Sequence, residues 1–148
     1  MIYKREVLLL SLFVLIVNIA GVESVSGSWS KNGVSMSGNH SASYIQPLDK
    51  RIQGSSAAHT PPNGPIDYIF VEVRLEDRCQ NANGTWPAWH QFAYNVKAAN
   101  NAVGSGLSVA RGTIQDCIWG HEYRNTSRHI FREQSFSVNE THTLTSTN

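Results

Sequence analysis

IDYIFVEVRLEDRC, residues 66–79, is the stretch on which the fold turns. Ile69, Val71, Val73 and Leu75 alternate with Tyr68, Phe70, Glu72, Arg74 and Glu76, the period of two that sends successive side chains to opposite faces of a strand. One face is apolar and the other mixed, so the run reads as a strand with one buried side. QNANGTWP follows, with Asn83-Gly84 and Pro87 supplying turn chemistry. Phe92, Tyr94 and Val96 then alternate with Gln91, Asn95 and Lys97, which predicts a second strand over 89–97, antiparallel to the first.

The pattern weakens on either side of this pair. Ala98–Gly106 reads as a hairpin-like loop, and Leu107–Trp119 as a further strand whose alternation breaks near Gly112, predicting a β-bulge there. Beyond Gly120, Arg124, Arg128 and Arg132 repeat every four residues as on a helix, but Asn125-Thr126-Ser127 is a poor helix centre. A strand over Arg128–Val138 is the reading, followed by a threonine-alternating tail that forms an edge strand or a frayed end. Upstream, residues 46–65 carry four of the five prolines and no apolar periodicity, which predicts a Pro/Ser-rich surface loop. Ser24–Gly38 reads as one short strand or an ordered arm. Several short strands separated by turn signals, with no amphipathic helix, predict an all-β domain: a single antiparallel β-sandwich or small barrel.

The N-terminus carries Lys4 and Arg5, an apolar run over 7–20, and small residues after it, the layout of an export signal. The run is shorter than the roughly 20 residues a membrane-spanning helix needs, which favours cleavage over a retained anchor. Cleavage fits after Gly21, with Ile19 three residues before the cut, or after Ser24, with Val22 there. The expected organisation is a signal peptide over 1–24 and a secreted β domain over 25–148 with no membrane span. Removing 1–24 leaves ten basic and nine acidic side chains, too balanced a charge for nucleic-acid binding driven by a positive field. Cys79 and Cys117 are the only cysteines, and in an exported chain such a pair closes on itself.

The catalytic and cofactor signatures are all incomplete. His121-Glu122-Tyr123-Arg124-Asn125 begins like a zinc-protease H-E-x-x-H but has asparagine where the second imidazole is required. Gly33-Val34-Ser35-Met36-Ser37 lacks the second glycine of a nucleophile elbow. Gly104 and Gly106 lack the third glycine of a dinucleotide loop, and Val109 stands in its place. Two cysteines without a C-x-x-C pair give zinc too few thiolates, so neither a metal nor another cofactor is expected. Six histidines are many for this length, and His90, His121 and His129 can meet only if strands bring them together. Glu72, Arg74 and Glu76 read as a solvated charge ladder rather than a glycosidase dyad. Arg124, Arg128 and Arg132 read as a solvated face near Glu122 and Glu133.

Four sequons, at Asn39, Asn83, Asn125 and Asn139, exceed the roughly two expected by chance and point to a glycosylated extracellular chain. Trp86, Trp89 and Trp119 lie at predicted strand ends, where a rigid sandwich presents its contacts. Indole offers a flat apolar face with one donor, so these three are the candidate ligand-binding residues, with carbohydrate or another surface protein as partner. The function this supports is a secreted, non-enzymatic binding or surface-assembly protein. The alternatives are a small secreted hydrolase or metal-dependent enzyme using the histidines with Asp116 or Glu122, and a secreted toxin or antimicrobial effector.

Overall fold

The computed structural model describes residues 22–147. All but the last three residues of the expected signal peptide lie outside them. Eight strands follow one another: β1 (Glu23–Lys31), β2 (Val34–Gln46), β3 (Asp49–His59), β4 (Ile66–Cys79), β5 (His90–Ala102), β6 (Ser108–Thr113), β7 (His121–Glu133) and β8 (Val138–Thr147). They make two antiparallel sheets of order β1-β2-β3-β6 and β5-β4-β7-β8. β1 lies against β8 and β5 against β6, so the sheets face each other as a sandwich.

The quoted stretch becomes β4, the centre of the second sheet, paired with β5 on one side and β7 on the other. Ile69, Val71, Val73 and Leu75 are fully buried, as their alternation predicts. Val71, Val73 and Leu75 join Ala42, Ile52, Ala93 and Ala110 in one apolar cluster. Ile69 joins Val34, Met36, Ala58, Ile66, Phe131 and Val138 in another, on which Trp29 and Phe136 pack.

Elsewhere the structure corrects the sequence reading. The expected surface loop over 46–65 is mostly β3, a central strand whose inward side chains are Lys50, Ile52, Gly54, Ser56 and Ala58. Burial alternates there with a period of two, but only Ile52 is a large apolar residue, so the pattern is silent in the sequence. Ser24–Gly38 is two strands rather than one. Asn32 (φ 50°) and Gly33 (φ 84°) form the left-handed pair of a two-residue hairpin turn, the geometry for which Asn-Gly is suited. Ala98–Ala102 continue β5 instead of forming a loop, paired with residues Ile66 to Phe70. Gly112 sits in unbroken register opposite Lys50, and the irregularities fall instead at Tyr44/Gln46 and Leu75/Glu76. The predicted strand over 128–138 is the end of β7, a turn with Ser137 at φ 54°, and the start of β8. The threonine tail is an edge strand, paired along its length with β7.

β1 begins at Glu23, ahead of the expected 24/25 boundary. Glu23 Oε2 accepts from Ser146 Oγ at 3.2 Å and from Asn125 Nδ2. Its other oxygen lies 3.7 Å from the ammonium of Lys50, a side chain 1% exposed. Beside this corner the sheets are joined by a buried polar seam. Ser56 Oγ donates to the Phe70 carbonyl at 3.1 Å, so at 2.7 Å it must accept from His129 Nδ1. His129 Nε2 then accepts from Ser127 Oγ (2.8 Å), which in turn accepts from His40 Nδ1 (2.8 Å). Both imidazoles are fully buried, and this one-way chain requires His129, which donates at one ring nitrogen and accepts at the other, to be neutral. Burial, then the neighbouring His40 and His142, push His129 down to about 4; burial also lowers His40, against the pull of Glu23. Gly38 makes the room, since a Cβ there would stand 2.5 Å from His129 Nδ1.

Candidate recognition site at the disulfide end

The Cys79–Cys117 bond forms as the cysteine count predicts, with the Cα atoms 5.3 Å apart. It clamps the β6–β7 loop to the end of β4. The β4–β5 and β2–β3 connections lie at the same end of the sandwich.

Under the clamp sits Asp77. The inward alternation of β4 runs from Ile69 through Leu75, and Asp77 is the next position in phase. It is fully buried and accepts from the Gln115 backbone N–H at 2.8 Å, His90 Nδ1 at 3.1 Å and His121 Nε2 at 3.2 Å. With its Nε2 donating, His121 accepts the Tyr123 hydroxyl at Nδ1 (2.7 Å). Burial, Tyr44 and the Asp77 charge all raise the Tyr123 phenol, which stays protonated. The Lys50 ammonium lies 4.5 Å from the Tyr123 ring and 5.1 Å from that of Tyr44. Desolvation lowers its pKa, against the attraction of Glu23. Buried charge at this end is thus matched by opposite charge or aromatic faces, as burial demands.

Toward solvent the same strands present arginines and indoles. Arg78 lies 4.4 Å from the Trp89 ring and 5.1 Å from Trp86, while Arg124 lies 4.6 Å from Trp89. Arg124 makes a bidentate pair with Glu76, both bonds at 2.8 Å, and Arg78 Nε donates to Glu122 at 2.7 Å. A cleft of about 280 Å³ opens here, lined by Arg78, Trp89, Glu122, Tyr123 and Thr147.

The three tryptophans do share one end of the molecule; Trp86 Cη2 comes within 3.3 Å of where a Gly120 Cβ would stand, next to Trp119. They are not equivalent. Trp86 and Trp89 are half-buried and stacked with guanidinium groups, whereas Trp119 is 62% exposed. Of the three histidines, His90 and His121 meet on Asp77, while His129 belongs to the interior seam. Asp116 is exposed and outside this cluster. The H-E-x-x-H-like fragment is on β7, where neighbouring side chains point to opposite faces, and the elbow-like fragment runs from the β1–β2 turn into β2. Cys79, Cys117 and His121 are the one set of donor atoms close enough for a metal among the described residues, but the disulfide removes both thiolates.

The expected solvated ladder is not solvated. Glu72 and Glu76 are 4% and 6% exposed, covered by the arginines of β7. Arg128 donates to Glu72 at 2.8 Å, and Arg74 bonds the other oxygen of that carboxylate. Arg128 and Arg132 also lie over Phe70 and Tyr68, so the arginine row is spent on partners within the sheet. Asn125 is fully buried, its amide nitrogen donating to Glu23 and Ser146, and the folded domain does not offer it to a glycosyl donor. Asn39, Asn83 and Asn139 are exposed. Asp77, Tyr123, Arg78 and Lys50 were missed by sequence reasoning, though the phase of β4 placed Asp77 inside.

No known protein family and no curated protein matches this chain.

Proposed function

We propose that the chain is an exported, non-catalytic binding domain that recognises a small carbohydrate with its disulfide end. The observation that carries this is the cleft between Arg78, Trp89, Glu122, Tyr123 and Thr147. A guanidinium, a carboxylate and two hydroxyl-bearing side chains next to an indole supply the directional donors and acceptors, and the apolar edge, that a sugar ring needs. Arg78 and Arg124 are each neutralised by a glutamate, which favours a neutral ligand. The cleft is at the small end of ligand sites, about the size of one or two rings. Glycan-array binding of the exported protein, repeated with Glu122→Gln, tests this: the variant should keep its thermal stability and lose binding. No binding by the unmodified protein, or equal binding by both, would defeat it.

Export is part of the reading, supported by the N-terminal layout and the disulfide. A cut after Ser24 would remove Glu23 and strand the Lys50 ammonium, so we place the cut after Gly21. N-terminal sequencing should begin at Val22. Asn39, Asn83 and Asn139 are the acceptors open to glycosylation. A hydrolase is the second reading, favoured by one feature. Buried Asp77 orients His90 through Nδ1, and the His90 side chain is 53% exposed, leaving Nε2 free to act as a base. It requires a hydrolytic activity that His90→Ala abolishes.

A further inference from the structure

Five buried side-chain atoms make no hydrogen bond among the described residues, and two of them belong to side chains that meet on one carboxylate. These are Lys50 Nζ, from the inner face of β3, and Asn125 Oδ1, from the inner face of β7. Glu23 lies between them. Its Oε2 accepts from Asn125 Nδ2, and its Oε1 stands 3.7 Å from Lys50 Nζ, beyond hydrogen-bond reach. The rings around the amine fix the juxtaposition. Tyr44 lies opposite Lys50 in the register of β2 and β3, and its ring meets that of Tyr123 edge-on, with centroids 5.9 Å apart. Tyr123 is two residues before Asn125, so the two share a face of β7. Lys50 Nζ lies 4.5 Å from the Tyr123 ring, and the amine therefore crosses to the opposite sheet beside the amide.

A buried amine and a buried amide that each leave a polar atom unpaired are costly, and packing offers no return for placing them together. A reaction between them accounts for both. Burial lowers the pKa of Lys50, against the attraction of Glu23, and so eases formation of the neutral amine, the nucleophilic form. We propose that Lys50 and Asn125 react with each other, forming an isopeptide cross-link between the two sheets with Glu23 as the proton carrier. Lys50 first passes a proton to Glu23 Oε1. The Nζ lone pair then forms a bond to Asn125 Cγ, and the carbonyl π electrons move onto Oδ1. Glu23 delivers its proton to Nδ2 and takes another from Nζ. As the carbonyl re-forms, the Cγ–Nδ2 bond breaks and the nitrogen leaves as ammonia with the bonding pair. Nothing is oxidised or reduced, and no further reactant enters. The Glu23 side chain is 20% exposed, which gives the ammonia a route to solvent. Free lysine and asparagine in water lack what the fold supplies, a fixed approach and a carboxyl group in contact with the leaving nitrogen. The new bond fastens β3 to β7, whereas the disulfide fastens β4 to the β6–β7 loop. The inference does not depend on the carbohydrate reading, since Arg78 and Glu122 take no part in it.

The test is peptide mass spectrometry of the exported protein after reduction and enzymatic removal of N-glycans. The peptides carrying Lys50 and Asn125 should appear as one species, lighter than their sum by one ammonia, and trypsin should fail to cut after Lys50. Glu23→Gln keeps both reacting side chains but cannot carry the proton, and it should yield the two peptides separately. The Cys79–Cys117 bond, read in an unreduced digest, reports that the variant has folded. Lys50→Met should abolish the linked species as well. Separate peptides of unaltered mass from the unmodified protein would overturn the cross-link, a result that stands whether or not any variant folds. Linkage as complete in Glu23→Gln as in the unmodified protein would overturn the role of the carboxylate.

Discussion

The two ends of the sandwich are built on different principles. At the end away from the disulfide, three connections close through backbone contacts of neighbouring residues, with Asn32 Nδ2 donating to the Phe136 carbonyl at 2.8 Å as a longer tie between two of them. Asn32-Gly33 makes the β1–β2 turn; Thr60 and Gly64 exchange two backbone bonds of 2.9 Å; and the Ser137 N–H reaches the Gln134 carbonyl at 3.1 Å. At the disulfide end, side chains distant in sequence hold the structure. Asp77 collects His90, Gln115 and His121, Glu23 meets Lys50 and Asn125, and the disulfide spans 38 residues. A local turn needs few partners elsewhere to hold its shape. A long-range cluster gathers charge beneath it and frees its loops to present large side chains.

The contrast can be broken most severely at the clamp. Replacing Cys79 and Cys117 by serine should cost about 4 kcal/mol from the loop-closure entropy of the unfolded chain, read as a lower urea midpoint. Retention of the full midpoint would show that the hydrogen bonds of Asp77 suffice to fix the loop.

Acid should act between the two ends, on the seam. Above about pH 6.5 the unfolded chain and the folded seam are both neutral at His40 and His129, and there is no penalty. As pH falls below 6.5 the unfolded chain takes up protons that the folded seam refuses, and stability drops until the folded value of His129, about 4, is reached. The loss from His129 amounts to about 3 kcal/mol across that window. Urea midpoints of His129→Asn measured from pH 7.5 to 4 should show a shallower decline than those of the unmodified protein; parallel curves would exclude the seam as the cause.

Asp77→Asn should come next. It leaves one carbonyl oxygen for three donors and substitutes a neutral acceptor, at a cost of about 2 kcal/mol. Nuclear magnetic resonance of the His90 and His121 rings should register the change, while the turn at Asn32-Gly33 stays unaltered. The smallest effect belongs to that turn. Gly33→Ala forces a β-carbon into the left-handed region at φ 84° and should cost about 1 kcal/mol, confined to the β1–β2 hairpin in amide exchange.

The same contrast accounts for what was readable in advance. β4 was legible because its inward residues are large and apolar, and the disulfide because only two cysteines exist. The β1–β2 turn was also written in the sequence, as Asn32-Gly33 between serine-rich segments, but polar outward residues hid the strands on either side of it. β3 left no comparable trace. Its inward positions are lysine, glycine, serine and alanine as well as Ile52, which suit a strand lying close to polar partners on the other sheet.

The sequence by itself determined the alternating strands, the absence of a convincing helix among the described residues and the cysteine pair, because each rests on local periodicity or on counting; the strand expected over Leu107–Trp119 ends at Thr113, which leaves Trp119 in a loop. Only the tertiary structure decided that Glu72 and Glu76 are covered, that His129 parts from His90 and His121, that Asn125 is sealed, and that Lys50 and Asp77 are buried charges with partners. Those outcomes depend on which strand lies beside or opposite which. In a sandwich, pairing across and between sheets joins residues from 13 to more than 100 positions apart, and no local pattern encodes that distance.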